Sequence, residues 1–450
     1  MTGEPDIRPA AAPDEGGAPD LRAQVEAMRP KPRRDRQIWG IYILLVVVSL
    51  IELYSASSRE VVAGNIFGPI VRHAILIFVG FVLMILLQRT HYKRFYNWAY
   101  VIVGLCVASA IYTMFFGQVI NGARRSFSVL GLFSVQPSEL LKFAAALLIA
   151  RVLCNYRFIY RRGHEEEDRR YNRKLVLGVA ATVLFFGVLL VSQGLTNTIL
   201  LMAISLAMML IGGVRWREFG AILGIYAVLG LGYGAFKVAT SGDHADVNTE
   251  QAVAKGQTVD RTGTRMQRIS DYFRDDKYND TITSENRQEQ YSYIAQANGG
   301  VFGVFPGNSR ETARLPLAFS DYIYAIVIED TGLIGGIVVM ALYLWLLARA
   351  GRIAMKCKKA FPALLVIGMA VFIVCQALMH MGIVTGFLPV SGQPLPLISK
   401  GGSSVIVTSI ALGVMLSVSR FAARKGARQE VQDNITELSD KEMPDNPTQL

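Results

Sequence analysis

The stretch 361-FPALLVIGMAVFIVCQALMHMGIVTG-386 contains no Asp, Glu, Lys or Arg. About 20 apolar residues in a helix cross a hydrocarbon core of about 30 Å, so this block is long enough to span a bilayer. Its apolar side chains fall on nearly every face, as in a lipid-embedded helix rather than an amphipathic one. Nine similar blocks flank it, at roughly 38–56, 69–88, 96–116, 138–155, 174–192, 196–214, 219–238, 320–348 and 403–420. The fifth and sixth are divided only around Gly194-Leu195. The expectation is an all-α polytopic membrane protein with ten transmembrane helices and a long extracytoplasmic loop between helices 7 and 8.

Composition agrees. The 450 residues are 52% hydrophobic and only 18% charged, with a mean hydropathy of +0.34. Soluble domains carry about 25% charged residues, so much of this chain has no water to face. A soluble enzyme, a coiled coil and a disordered scaffold are excluded. Cys106 and Cys375 lie inside apolar blocks, Cys154 near the end of one, and Cys357 in a basic connector. No CxxC spacing occurs, so neither zinc nor a disulfide framework is indicated. No cleavable signal precedes the first block; the first 36 residues are polar, and insertion through the first span is expected.

Basic residues set the orientation. One side collects Arg33, Arg34 and Arg36, then Arg89, Lys93 and Arg94, the run from Arg157 to Lys174, Arg215 and Arg217, Arg349 to Lys359, and Arg420 to Arg428. The opposite short connectors hold only Arg59, Arg72, Arg124, Arg125 and Lys400. Both termini are therefore expected in the cytoplasm. The net charge of +11 follows from topology and anionic lipid, and no nucleic acid is expected. The predicted divisions are a disordered cytoplasmic tail (1–36), a membrane domain (37–423, with its large outer loop at 239–319) and a second cytoplasmic tail (424–450). Inside the loop, Met266, Ile269, Tyr272 and Phe273 predict a short interfacial helix, and 241–264 a mobile stretch.

Three polar clusters depart from a passive bundle. The first ends the loop: Gly299-Gly300-Val301-Phe302-Gly303, Pro306-Gly307-Asn308-Ser309-Arg310, then Leu315 to Tyr322, with Asp321 at the mouth of the eighth span. An acid there also complements a helix N-terminus, so Asp321 alone is ambiguous. Glu329 and Asp330 lie deeper in the same span, where acids are costly and face a cavity or a partner. The second cluster is Asn121-Gly122-Ala123-Arg124-Arg125 with Gln136-Pro137-Ser138-Glu139-Leu140-Leu141-Lys142. Glu139 and Lys142 share one helix face, as a functional pair or as an ion pair that only holds the bundle. The third is the Pro/Gly/Ser-rich run from Pro389 to Ser404, including Ser399, Lys400 and Ser403. Its exposed amides are tolerable only along a wet cavity. Outward-facing cations beside such a cavity suit a phosphate-bearing lipid.

These three clusters, GARR…QPSELLK, GGVFG…NSR…LP…SDYIYAI-IED-GLIG and PVSGQPLPLISKGGSS, resemble those of the SEDS family (shape, elongation, division and sporulation), the FtsW/RodA group. The resemblance covers about residues 38–423. It implies polymerisation of lipid II, an undecaprenyl-diphosphate-linked disaccharide-pentapeptide, on the outer face of the cytoplasmic membrane. It also implies a class B penicillin-binding protein as partner, and other division or elongation proteins. The polar tails favour a division role, closer to FtsW. The family's essential acid maps onto Asp321, its Gln-Pro-Ser-Glu-x-x-Lys onto Glu139 and Lys142, and a cation opening its second span onto Arg72. Four positions depart from the family pattern: Leu317 and Phe319 replace a Glu and a His, Leu195 stands in a motif that has lost its carboxylate, and Lys400 replaces a Tyr.

The implied site is Asp321 as catalytic base, with Arg72, Arg124, Arg125, Glu139, Lys142, Ser399, Lys400 and Ser403 binding substrate. One carboxylate base with several cations, or with a divalent ion (Mg2+ or Mn2+) held partly by Asp321, suffices when the leaving group is a diphosphate. A lipid transporter and a non-catalytic division scaffold are the alternatives from other classes. Inverted repeats, a transporter hallmark, are not evident in the sequence.

Overall fold

In a computed structural model the described residues are 35–56, 67–120, 123–129, 133–156, 163–191, 194–240, 272, 282–283, 286–315 and 319–421. Helices coincide with all ten expected spans: α1 (Arg36–Ala56), α2 (Phe67–Arg89), α3 (Tyr92–Phe116), α4 (Pro137–Leu153), α5 (Glu165–Val191), α6 (Leu195–Ile211), α7 (Trp216–Thr240), α9 (Ile323–Met355), α10 (Ala360–Val384) and α11 (Gly402–Phe421). Among the described residues, α1, α2, α3, α5, α9, α10 and α11 are long and apolar enough to cross a membrane. The chain is a multi-pass membrane protein.

Asp35–Ser419 forms one compact unit. The second unit (Met1–Arg34 with Arg420–Leu450) lies outside the described residues except for Arg420 and Phe421. Within the first, α10 packs against α9, α4 and α6, and α4 also against α3 and α5. Small residues permit the close approach, as expected where lipid supplies no hydrophobic drive between helices. Gly368 of α10 faces Met208 of α6 and the Ala146 carbonyl of α4. Pro137 opens α4, where its missing N–H has no partner to lose.

Two features depart from a purely helical reading. A three-stranded antiparallel sheet, β1 (Gln118–Ile120), β2 (Ala123–Val129) and β3 (Phe133–Val135), fills the connector between α3 and α4. The intervening Asn121-Gly122 is the strongest short hairpin signal a sequence carries. Val119 pairs with Arg124 and Ser128 with Ser134, and Phe127 packs edge-on against Tyr112 of α3 at 5.5 Å.

Second, α9 is interrupted at Gly332, whose φ of 73° is open chiefly to glycine. The segment after α8 (Arg287–Gly299) enters the break. Val304 and Phe305 N–H groups donate to the Glu329 and Asp330 carbonyls at 2.9 Å, and Leu333 N–H donates to Gly300 at 2.9 Å. A Cβ at Gly299, Gly303 or Gly332 would overlap the backbone of the opposing segment. Glu329 is thereby a structural acid: its carboxylate accepts from Ser309 Oγ, Arg310 N–H and Glu311 N–H, which opens a 3-10 turn at Glu311–Ala313.

At the far end of α9, Arg349 grips Asp35 with Nε and Nη2 at 2.9–3.1 Å, and Ser419 Oγ adds a bond of 2.7 Å. Burial pushes the Asp35 carboxyl up, but these bonds, the Arg349 charge and the Ile38 N–H outweigh it and hold it below its ordinary value. The interfacial helix and mobile stretch expected in the outer loop lie outside the described residues apart from Tyr272, as do Leu317 and both tails beyond Asp35 and Phe421.

Candidate active site

The residues from Ser391 to Gly401 run without regular structure between α10 and α11. Most of this segment is buried, so its carbonyls need donors from within the protein. Four helical side chains supply them. His380 Nδ1 lies 2.6 Å from Gln393 O, Gln376 Nε2 donates to Pro394 O at 3.2 Å, Tyr343 OH donates to Pro396 O, and Ser49 Oγ donates to Ile398 O at 3.1 Å. Ser49 is in turn held by His73 Nε2 at 2.8 Å.

This segment brackets the turn that carries Asp321. On one side a Cβ at Gly392 would stand 2.7 Å from Asp321 Oδ2, so a larger residue there would displace the carboxylate. On the other, Ser399 Oγ donates to Ser320 O at 2.7 Å and accepts from Leu395 N–H at 2.7 Å, and Lys400 N–H donates to Phe319 O at 2.9 Å. Ser320 Oγ donates to Asp321 Oδ1 at 2.9 Å. Asp321 is partly exposed and lies ahead of the N-cap Tyr322, in the turn before α9 rather than within the helix.

The Lys400 ammonium lies 4.3 Å from the centre of the Phe319 ring. Two of the positions that depart from the family pattern therefore touch each other. An aromatic face attracts a cation without carrying a compensating full charge.

A model of the FtsW/RodA/SpoVE cell cycle proteins matches residues 35–424. The chain belongs to this family. Stage V sporulation protein E of Bacillus subtilis strain 168 is 26% identical over 389 residues, 85% of this chain and 96% of its own. FtsW of Geobacter metallireducens, which bears the name of a peptidoglycan glycosyltransferase, is 30% identical over 394 residues, 85% of this chain and 94% of its own. Among solved structures, a chain of a peptidoglycan synthase complex superposes with a TM-score of 0.62 at 24% identity, covering 86% of this chain and 98% of that one. RodA of Thermus thermophilus gives 0.57 at 22% identity, covering 86% and 97%. These two likenesses place the chain in the SEDS fold.

Against that family background the predicted site residues separate into groups. Asp321, Ser399 and Lys400 converge. Glu139 and Lys142 form a second group, an ion pair of 2.8 Å with both side chains enclosed, extended by Gln376. Ser403 Oγ accepts from Gln136 N–H at 3.1 Å and so ties the start of α11 to the entry of α4. Arg72 is exposed near the start of α2, next to the buried His73 that holds Ser49. Arg124 and Arg125 are placed on β2, Arg124 opposite Val119.

A resident Mg2+ or Mn2+ would need several hard oxygen donors around Asp321. Among the described residues no three carboxylate, imidazole or thiol groups converge. A divalent ion at Asp321 would therefore draw its other oxygens from outside such a cluster, as from a substrate diphosphate.

Sequence reasoning missed Gln376, His380, Tyr343 and Ser49. The first two carried a signal: polar side chains four residues apart, on one face of the apolar block that decides the fold.

Proposed function

We propose that this chain polymerises lipid II into β-1,4 glycan strands at the outer face of the cytoplasmic membrane, as a peptidoglycan glycosyltransferase with Asp321 as its base. The observation that carries the reading is the bracket of residues 391–400 around Asp321, a partly exposed carboxylate held against a largely buried polar segment. The family membership and the glycosyltransferase name of its FtsW relatives support it.

In the reaction, Asp321 accepts the proton of the acceptor GlcNAc 4-hydroxyl. The hydroxyl oxygen bonds to the anomeric carbon of the donor as the bond from that carbon to the diphosphate oxygen breaks. The lipid diphosphate leaves with the electron pair, and the α-linkage inverts to β. A diphosphate needs charge neutralisation rather than a proton donor, which cations supply. Lys400 and Arg72 are the cations for that task, with Arg124 and Arg125 of the connector between α3 and α4 as further candidates. Lys142, enclosed and already paired with Glu139, serves the site through its partners.

Ten crossings with both termini in the cytoplasm complete the reading and turn the Asp321 end of α9 outward. A class B penicillin-binding protein is the partner that cross-links the product. A divalent ion, Mg2+ or Mn2+, would be held between the substrate diphosphate and Asp321 and would add to the neutralisation of the leaving group.

The deciding experiment incubates purified chain with labelled lipid II, with and without its penicillin-binding protein, beside Asp321→Ala. Polymer from wild type alone is expected; losing a positioned base costs about 10²–10⁴ in rate. Polymer from both would move the base elsewhere. Bound lipid II without polymer from either would favour a transporter or a scaffold.

A further inference from the structure

We infer that Gln376 is a positioning residue for Asp321, and that the buried Glu139–Lys142 pair exists to orient it. The inference rests on the reading of Asp321 as the base.

Lys142 Nζ donates to Glu139 Oε1 at 2.8 Å and to Gln376 Oε1 at 2.9 Å. An ammonium has only donors, so it fixes which end of the Gln376 amide faces it. The amide NH2 is thereby turned the other way. Gln376 Nε2 donates to Glu139 Oε1 at 3.3 Å and to Pro394 O at 3.2 Å. All three side chains are at most 1% exposed, so no water competes for these bonds. The result is a directed chain from ammonium to amide to the Pro394 carbonyl. Without Lys142 the amide could flip and present its oxygen to that carbonyl, replacing an attraction with a repulsion.

Pro394 is two residues from Gly392, and Gly392 is the backbone against which the Asp321 carboxylate rests. His380, one turn along α10 from Gln376, fixes the intervening Gln393 carbonyl. The opposite arm of the bracket is tied to Ser320 and Phe319 through Ser399 and Lys400. Gln376 therefore sets the distance between the Gly392 arm and Asp321, while Ser399 and Lys400 set the other side. Glu139 and Lys142 both lie on α4, and a contact that merely joined α4 to α10 would need no amide reaching onward to this carbonyl.

The test uses the purified full-length chain with its penicillin-binding protein and labelled lipid II. Gln376→Met keeps the length of the side chain and removes the donor. Misplacing a catalytic group by about 1 Å costs up to about 10²-fold, so kcat should fall by about 10–100-fold. KM for lipid II should stay within about twofold, because no substrate contact is removed. Gly392→Ala, which pushes a methyl toward the carboxylate, should also lower kcat. The double variant should be little worse than the worse single one, because both act through the same arm. Gln376→Asn, too short to reach both partners, should behave alike with less change in packing, and serves if the Met variant does not fold.

Multiplicative losses in the double variant, or a folded Gln376 variant with wild-type kcat, would overturn the inference. Asp321→Asn runs alongside. If it abolishes polymer while Gln376→Met and Gln376→Asn keep wild-type kcat, this inference falls and the base assignment stands. If wild type makes no polymer, both fall together.

Discussion

Among the described residues, two non-helical stretches within the bundle have their backbone groups met in different ways. Around Gly332 the open carbonyls and amides of α9 are met by another stretch of backbone, residues 300–305. Along 393–398 the carbonyls are met by side chains from α1, α9 and α10. Backbone repair needs close approach, and so it depends on glycines. Side-chain repair keeps the two chains apart and divides the work among separable groups. The first should behave as an all-or-none joint and the second as a set of adjustable supports.

Substitutions can break or sharpen that contrast. The largest effect is expected at the joint. Gly332→Ala forces an alanine into a left-handed conformation and against the Val301 carbonyl, and should cost roughly 3 kcal/mol or more. Thermal unfolding in detergent should show a large loss of folded protein; a near-wild-type midpoint would mean that the joint is adjustable after all. Tyr343→Phe removes one support and leaves the buried Pro396 carbonyl without this donor, at a cost of about 2 kcal/mol. The protein should still fold, with a lowered midpoint.

A control lies away from both places. Asp35→Asn weakens the grip of Arg349 and Ser419 and should cost about 1–2 kcal/mol at neutral pH, with the polymerisation rate kept. The Asp35 carboxyl is lowered in the folded state, so its contribution is complete above the ordinary carboxylate value. That contribution fades as pH falls through the lowered value. Wild type and variant should therefore converge in stability under acid and separate toward neutrality; a constant gap would rule the linkage out. The smallest effect is expected for Ser49→Ala, about 1 kcal/mol, because Ser49 is one of several supports. Combined with Tyr343→Phe it should add, whereas a much larger joint loss would show that the supports act as one body.

Legibility from sequence followed the same division. The spans were visible because hydrocarbon demands long apolar blocks, and among the described residues seven of the expected segments meet helices long and apolar enough to cross a membrane. Asp321 and its flanking polar run were visible as chemistry out of place in a membrane. The interruption at Gly332 was not, because Gly-Leu-Ile-Gly-Gly at 332–336 reads equally as a small-residue packing face. Its meaning depends on Gly299 and Gly303, some thirty residues earlier. The sheet at 118–135 carried its Asn-Gly signal in plain view but lay between spans, where attention to apolar blocks passes over it. Gln376 was hidden by its surroundings: one amide among apolar neighbours acquires a role only when Lys142 and Pro394 are brought beside it.

The joint at Gly332 has a consequence for how α9 tolerates change in length. In an unbroken helix each inserted residue turns everything beyond it by about 100°. Here the short first segment, from Ile323 to Asp330, is locked to residues 300–305 and cannot rotate freely. Angular phase is therefore reset at the joint. One residue added after Ile337 should swing the exposed surface around Trp345 and disturb the Arg349 grip, while the turn bearing Asp321 keeps its bearing. The two parts of α9 thus answer to separate constraints, the longer to its packing neighbours and the shorter to the turn that bears Asp321.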